Sequence, residues 1–375
     1  MMTILFAPDK FKGSLNAAQV CQAMEEGMRE GGFNFHALHL PLADGGEGTC
    51  DMLTHFSHGQ KISVPVSGPR LQPMPATYGI SGDGTTAFIE MAAASGLQWL
   101  KPGERNPLET STHGTGQLLH HAIGEGVSEV ILGIGGSATN DGGMGLLDAL
   151  GVVFLNAQGE RLLPVGKNLV HVDHIDASHL DPALKKIAFT ALCDVNNPLY
   201  GPEGAAQIFG PQKGADPAAV ACLDDGLRNL AAVVARQFGV DINFPGAGAG
   251  GGIGAGAKAF LNISFQPGMD FLKSFVKLEE KVAQSHIIFT GEGKVDHQTL
   301  YGKVVKGVSE LAVKHSKPLF IVAGTSDLTS AELLALGAVK VVDLVNANTS
   351  EKEAMQHAFS LIRQRVKEEI IPLFL

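Results

Sequence analysis

Residues 3–32, TILFAPDKFKGSLNAAQVCQAMEEGMREGG, decide the fold. Thr3 to Ala7 is an apolar run too short for a helix and stopped by Pro8, so it reads as a buried strand. The polar loop Asp9 to Ser14 follows, and Ser14 reads as the N-cap of a helix from Leu15 to about Glu30. Val20, Met24 and Met28 fall on one face of that helix, and Gly31-Gly32 ends it. A strand around His36 to Leu40 comes next. The glycine turn Ala43 to Thr49 then opens into a helix through Leu53 and Phe56, and Ile62, Val64 and Val66 alternate as a third strand. This β-α-β-α-β order predicts an α/β fold, a Rossmann-like doubly wound parallel sheet. The alternation returns near the end of the chain, with strands at 286–290, 318–323 and 339–345 between helices at 301–315, 331–336 and 351–369. The expected organisation is a discontinuous Rossmann-like domain of residues 1–68 and 286–375 with an inserted α/β domain of 69–285. Two consecutive domains divided near 150–200 are the alternative.

The composition is that of a globular protein, with 375 residues, 45% apolar and 18% charged. A net charge of −10 without a long basic run argues against nucleic-acid or anionic-membrane partners. Cys21, Cys50, Cys193 and Cys222 form no Cys-x-x-Cys pair, so free thiols are expected rather than a zinc site or disulfides. No apolar run approaches the ~20 residues that span a bilayer, and the N-terminal run is too short for a signal peptide. A cytoplasmic location is the expectation, and a homodimer is compatible with the sequence.

Ligands of open parallel sheets bind beyond the C-terminal ends of the strands, so the loops there carry the functional reading. The strand Val130 to Leu132 runs into a turn, Gly133 to Gly145, before a helix from Met144. Gly135, Gly136, Ser137, Thr139 and Asn140 suit a phosphate cradle, and Asp141 suits a bound metal. A plain capped loop explains the same residues. Asp9, Lys10, Lys12 and Ser14 follow the first strand, where a cation could hold a phosphate or carboxylate; a solvated loop is the alternative. Asp44 and Glu47, spaced by Gly45 and Gly46, suggest a magnesium shell or a general base, or simply favour the following helix N-terminus.

Asp194 ends another strand and is a candidate base, although Asn196, Asn197 and Pro198 beside it also make an ordinary turn. Lys213 lies between glycines. The segment 245–256 contains Gly-x-Gly-x-x-Gly at 246, 248 and 251, but no clear strand precedes it and no acid follows about twenty residues later. What survives is a side-chain-free surface, including Gly248, Gly250, Gly251 and Gly252, against which a nucleotide could lie. Glu292, Lys294 and Asp296 follow the strand at 286–290. No P-loop, Gly-x-Ser-x-Gly elbow, His-Glu-x-x-His or protein-kinase signature is present. Carboxylates, lysines and backbone N–H groups on glycine loops beside a parallel sheet point to a small-molecule phosphotransferase using Mg²⁺.

The chain also resembles the bacterial glycerate kinase family of the type I class. The resemblance rests on Ala7 to Leu15, Ala43 to Thr49, Glu90-Met-Ala-Ala-Ala-Ser-Gly96, Gly133 to Gly143, Cys193 to Leu199, Phe209 to Gly214, Pro245 to Gly256 and Thr290-Gly-Glu-Gly. It implies ATP- and Mg²⁺-dependent phosphorylation of D-glycerate, with 2-phosphoglycerate as the favoured product. On that reading Asp194 or Asp44 handles the attacking hydroxyl, and Lys12 and Lys213 stabilise the transferring phosphoryl group. Asp9, Ser14, Gly45, Gly46 and His113 would hold the substrate. Gly135, Gly136, Ser137, Thr139, Asn140 and Gly248 to Gly252 would hold ATP. Asp141, Glu47 and Glu292 would hold the metal. Lys10 stands where the family often has Ser, and His113 where it often has Arg; a histidine there weakens a bidentate clamp on a carboxylate. A nicotinamide-dependent hydroxy-acid oxidoreductase and a non-catalytic metabolite sensor are the rival readings.

Overall fold

The structure is a computed structural model of the chain; it describes residues 1–43, 46, 48–301 and 304–374. Asp44, Gly45 and Glu47 therefore lie outside the described residues. Among the described residues the strands are, in chain order, β1 (Met2–Phe6), β2 (Phe35–His39), β3 (Gln60–Ser67), β4 (Pro73–Ile80), β5 (Thr86–Glu90), β6 (Glu129–Gly133), β7 (Val153–Leu155), β8 (His174–Asp176), β9 (Ala188–Leu192), β10 (Ile263–Gln266), β11 (Ile287–Val295), β12 (Leu319–Ser326) and β13 (Ala338–Asp343). The chain divides into two compact units, Met1–Asp44 with Met269–Leu375, and Gly45–Gly268.

The first unit holds a five-stranded sheet in the order β13-β12-β11-β1-β2, with every neighbouring pair parallel. Numbered within this unit, the order is 2-1-3-4-5, a doubly wound arrangement whose direction of winding reverses between β1 and β11. Central strands of such a sheet are covered on both faces, so they read as unbroken apolar runs. Ile4, Leu5 and Phe6 are fully buried, and Phe6, Phe289 and Phe320 stack across three strands at centroid separations of 5.2 Å.

The helix Ala17–Glu30 covers this core with Val20, Met24 and Met28, as its spacing predicts. Its N-cap is Asn16 and not Ser14: Asn16 Oδ1 accepts the Gln19 N–H, and the Gln19 side chain returns to the Asn16 N–H. Ser14 sits inside a tight turn closed by Phe11 and Leu15, with Gly13 at φ +76°.

The second unit contains a six-stranded mixed sheet, β10-β9-β6-β5-β4-β3, and a two-stranded sheet, β7-β8. Strands β5, β6, β9 and β10 are parallel, whereas β3 and β4 form an antiparallel edge. The strand carrying Ile62, Val64 and Val66 thus belongs to this sheet and not to the first. The physical reason is legible afterwards. Its outward positions are exposed and it carries Pro65, both marks of an edge strand and not of a doubly covered central one. The division between units accordingly falls at 44 and 269, before the boundaries at 68 and 286 that the pattern suggests.

Candidate active site

In the second unit β5, β6 and β9 lie side by side and parallel, so their C-terminal ends share one edge of the sheet. That edge carries Glu90 at the end of β5, the glycine turn after β6, and Asp194 two residues beyond β9. Glu90 Oε1 accepts the N–H groups of Gly48 (2.9 Å) and Cys50 (2.8 Å). It thereby fixes the start of the helix Thr49–Phe56, whose N-cap, Gly48, has no side chain to do so. Gly46 lies beside the glycine turn: a Cβ on Gly135 would stand 3.5 Å from the Gly46 Cα. Asp194 is exposed, and its Oδ1 accepts the Gly268 N–H at 2.8 Å.

The turn has an exposed tip and a buried stem. Gly135 and Gly136 are exposed, Gly136 with φ +71°, while Ser137 through Met144 are buried. Two charged side chains hold the stem. Lys213, 2% exposed, donates from Nζ to Ser137 Oγ (2.7 Å) and to the Thr139 carbonyl (2.6 Å). Asp141 is fully buried; it accepts from the Thr112 N–H (2.7 Å), the Thr112 hydroxyl (2.8 Å), the Gly145 N–H (3.1 Å) and the Gly143 N–H (3.2 Å).

Burial pushes the Lys213 ammonium down to about 7, against the pull of the Asp141 charge. Burial likewise raises the Asp141 carboxyl, and its four donors oppose the rise. The Thr112 hydroxyl already accepts the Leu146 N–H, so its proton is the one given to Asp141. With donors on both oxygens, the carboxylate form is the one this pocket is built for.

Asp141 has its oxygens engaged by protein donors and no exposed surface, and it staples the turn. Lys213 is sealed within the stem, where it positions the turn. Thr139 and Asn140 are also wholly buried, and the Thr139 hydroxyl and both polar atoms of the Asn140 side chain lack a partner. Only Gly135 and Gly136 of the expected cradle face outward.

The segment 245–256 does not offer an open surface either. A Cβ on Gly251 would come within 2.1 Å of the Thr139 carbonyl, and one on Gly256 within 1.9 Å of the Gly142 carbonyl. Gly248 meets the Pro198 carbonyl at 2.4 Å, and Gly252 meets the Gly142 Cα at 3.0 Å. The Gly142 N–H donates to the Gly251 carbonyl at 3.0 Å. These glycines let two backbones pack against each other, and only Gly250 among them is partly open. Gly248, Gly251 and Gly252 support the turn from behind.

In the first unit the reversal of winding brings the loop after β1 against β11. The Asp9 N–H donates to the Gly291 carbonyl at 2.8 Å, and a Cβ on Gly293 would stand 3.2 Å from the Lys12 nitrogen. Residues 291–295 continue the strand, paired with β12 as far as Val295 and Ser326, where a loop was expected. Asp9 is buried, and its Oδ1 accepts the Lys10 N–H at 2.6 Å. Glu292 is mostly buried, and its Oε1 accepts the Thr299 hydroxyl at 2.6 Å. Lys12 is exposed. Ser14 gives its hydroxyl proton to the Met355 carbonyl (2.7 Å), so its oxygen is committed to the fold. Among the described residues no three His, Cys, Asp or Glu side chains gather closely enough to hold a metal ion by themselves.

His113 begins the helix His113–Gly124, and its Nδ1 lies 3.1 Å from Asp148 Oδ2. Its imidazole lines a surface groove with Asp148 and Arg161, a groove that the turn's glycine tip does not line.

Comparison with known proteins decides the family. The glycerate kinase family model matches residues 4–374. The chain belongs to the glycerate kinase family. It is 42% identical to a glycerate kinase of Halalkalibacterium halodurans over 98% of this chain and 97% of that one. It is 44% identical to the glycerate 2-kinase of Escherichia coli over 86% and 85% of the two chains. A crystal structure from Salmonella typhimurium LT2, described as glycerate kinase 2, superposes with a TM-score of 0.87 at 40% identity, covering 100% of this chain and 98% of that one.

In this glycerate kinase two residues of the turn's framework are given no role by the sequence. Glu90 there only opens the run Glu90 to Gly96, and Thr112 is one of several hydroxyls in Thr110-Ser111-Thr112. Only the folded arrangement shows that one caps a helix from a neighbouring strand and the other closes the Asp141 pocket. A glycerate kinase of this sequence is an enzyme whose turn is held by groups remote in the chain: Thr112, Lys213 and Gly251 all meet residues 137–145.

Proposed function

We propose that the chain transfers the γ-phosphoryl group of ATP to a hydroxyl of D-glycerate, with Mg²⁺ as the required ion. The 2-hydroxyl is favoured, on the strength of the 44% identity to the Escherichia coli glycerate 2-kinase. The observation that carries the reading is the exposed Gly135-Gly136 tip at the end of β6, between strand ends that carry Glu90 and Asp194. A tip without side chains lets phosphate oxygens approach the backbone. The buried Lys213 and Asp141 keep that tip from yielding as charge moves, which is what preorganised stabilisation requires.

Asp194 is the base in this reading. It is an exposed strand-terminal carboxylate, held by the Gly268 N–H, and it takes the proton of the attacking hydroxyl. Lys12, exposed on the loop after β1, supplies positive charge to the transferring group. Glu292, with the neighbouring Asp9, would hold the magnesium. The donors are all carboxylate oxygens and Glu292 is mostly buried, which fits a hard cation that takes one or two carboxylates and fills its shell with water and phosphate. When bound, the ion neutralises phosphate charge. The four cysteines are free and Cys50 is buried, its thiol pushed up to about 12, which supports a reducing, cytoplasmic location.

A coupled assay with D-glycerate, ATP and Mg²⁺, resolving the 2- from the 3-phosphate, tests the reaction. Formation of NADH from a hydroxy acid, or ligand binding without ATP consumption, would overturn it. For the base, the test is Asp194→Asn: turnover is expected to fall by at least a hundredfold, and a folded variant with near-normal turnover would remove Asp194 from the mechanism.

A further inference from the structure

The groove beside His113 belongs to a different face of the second unit's polar groups. It comprises two adjoining cavities of about 450 Å³ and 420 Å³ that share His113, Asp148 and Arg161. The larger adds Gln117, His120 and His121. Asp148, with a side chain only 6% exposed, is the single acid lining either cavity, and it is engaged by Arg161 at 2.8 Å and His113 at 3.1 Å. Those partners hold its carboxyl below the usual carboxylate range despite burial. Its negative charge is therefore already matched.

The remaining polar lining is three imidazoles, the Gln117 amide and the outer side of the Arg161 guanidinium. Gln117 uses its oxygen on the Ser67 N–H (2.7 Å), which leaves its NH₂ as a donor. His121 is oriented by Tyr78, whose hydroxyl lies 2.9 Å from His121 Nδ1. In a chain of net charge −10, a groove lined by donors and potential cations stands out.

We propose that this groove binds a small, multiply charged anion of the phosphate type, at a site separate from the glycine turn. Arg161 offers the planar fork that suits phosphate oxygens. The His113 imidazole lies against Asp148, with 3.1 Å between Nδ1 and Oδ2. The charged and titratable groups facing His113 are Asp148 and Arg161, with His120 and His121 farther along its own helix and Tyr78 behind His121.

The experiment is calorimetric titration with pyrophosphate while ADP and D-glycerate occupy the catalytic site at saturation. The wild type is expected to bind one pyrophosphate. Arg161→Glu should weaken binding at least tenfold and His120→Ala several-fold, both with turnover unchanged. Should Arg161→Glu misfold, His120→Ala alone carries the test. No binding to the wild type, equal affinity in the variants, or equal affinity for citrate would each overturn the assignment.

Discussion

Replacing Lys213 by Met removes a buried ammonium and leaves a flexible chain of similar length to fill its channel. The fold lowers the Lys213 pKa from 10.5 to about 7, so charging it in place costs about 5 kcal/mol at roughly 1.36 kcal/mol per unit. The sign follows from linkage. Below about pH 7 folded and unfolded chains both hold the proton, and the full cost is present. Between about 7 and 10.5 the folded chain releases the proton while the unfolded chain keeps it, so stability rises with pH through that window. From about pH 6.5 to about pH 9 the gain from this group is about 2 to 3 kcal/mol. Met binds no proton, so the stability difference between wild type and Lys213→Met should move in favour of the wild type by about that amount over the same interval.

Urea unfolding followed by circular dichroism at the two pH values measures both proteins. Groups common to both cancel in the double difference. At the higher pH about 2 kcal/mol of the charging cost is still present in the wild type and offsets the roughly 1 kcal/mol that Ser137 Oγ and the Thr139 carbonyl each lose in the variant, so the two proteins should be close in stability there. A gap that stays constant within about 0.5 kcal/mol, or moves the other way, would refute the sealed and depressed Lys213 described above.

Asp141→Ala strands three buried N–H groups and the Thr112 hydroxyl, and should cost about 4 kcal/mol or more by urea unfolding; a loss under about 1 kcal/mol would contradict the staple. Gly251→Ala adds a Cβ at 2.1 Å from a carbonyl on backbone at φ +73°, so it should destabilise by about 3 kcal/mol or prevent folding, and a soluble variant with wild-type melting would show that the two segments do not pack as described. Gly135→Ala adds a Cβ that meets only an ordinary 3.5 Å contact, so its melting temperature should hold while turnover with ATP drops at least tenfold; unchanged kinetics would separate the tip from the nucleotide.

Much of the first unit could be read from residues. The apolar run at Thr3–Ala7 and the period of Val20, Met24 and Met28 are local signals, and the fold leaves them in charge. What escaped was the sheet to which a strand belongs. Ile62, Val64 and Val66 alternate equally well in a parallel or an antiparallel partner, and only Pro65 hinted at an edge. The N-cap was misplaced by two residues because Ser14 and Asn16 are both capping types, although Asn16 alone has a Gln three residues later. At the site, Asp194 and the Gly135-Gly136 tip stand at strand ends where parallel-sheet topology puts them. Asp141 and Lys213 are enclosed by the turn itself, which no local pattern announces. Residue type says that a carboxylate or an ammonium is present, and only burial says whether it faces a ligand or the protein.

The glycines make the same point in energetic terms. A phosphate cradle and a backbone-to-backbone contact both need a position without Cβ, so the two leave identical marks in a sequence. What separates them is the atom a Cβ would strike. At Gly251 and Gly256 it strikes a carbonyl of the turn within about 2 Å, and at Gly135 it reaches only another glycine at 3.5 Å. The glycine-dense segment and the glycine tip are therefore parts of one device: the first removes every side chain that would push the stem outward, and the second leaves the tip bare. In the proposed reaction a turn packed this tightly cannot adjust to the charge it would receive, so its shape has to be right for the phosphoryl group beforehand. That is why a substitution such as Gly251→Ala, remote from any ligand, should damage turnover whenever it leaves the protein folded.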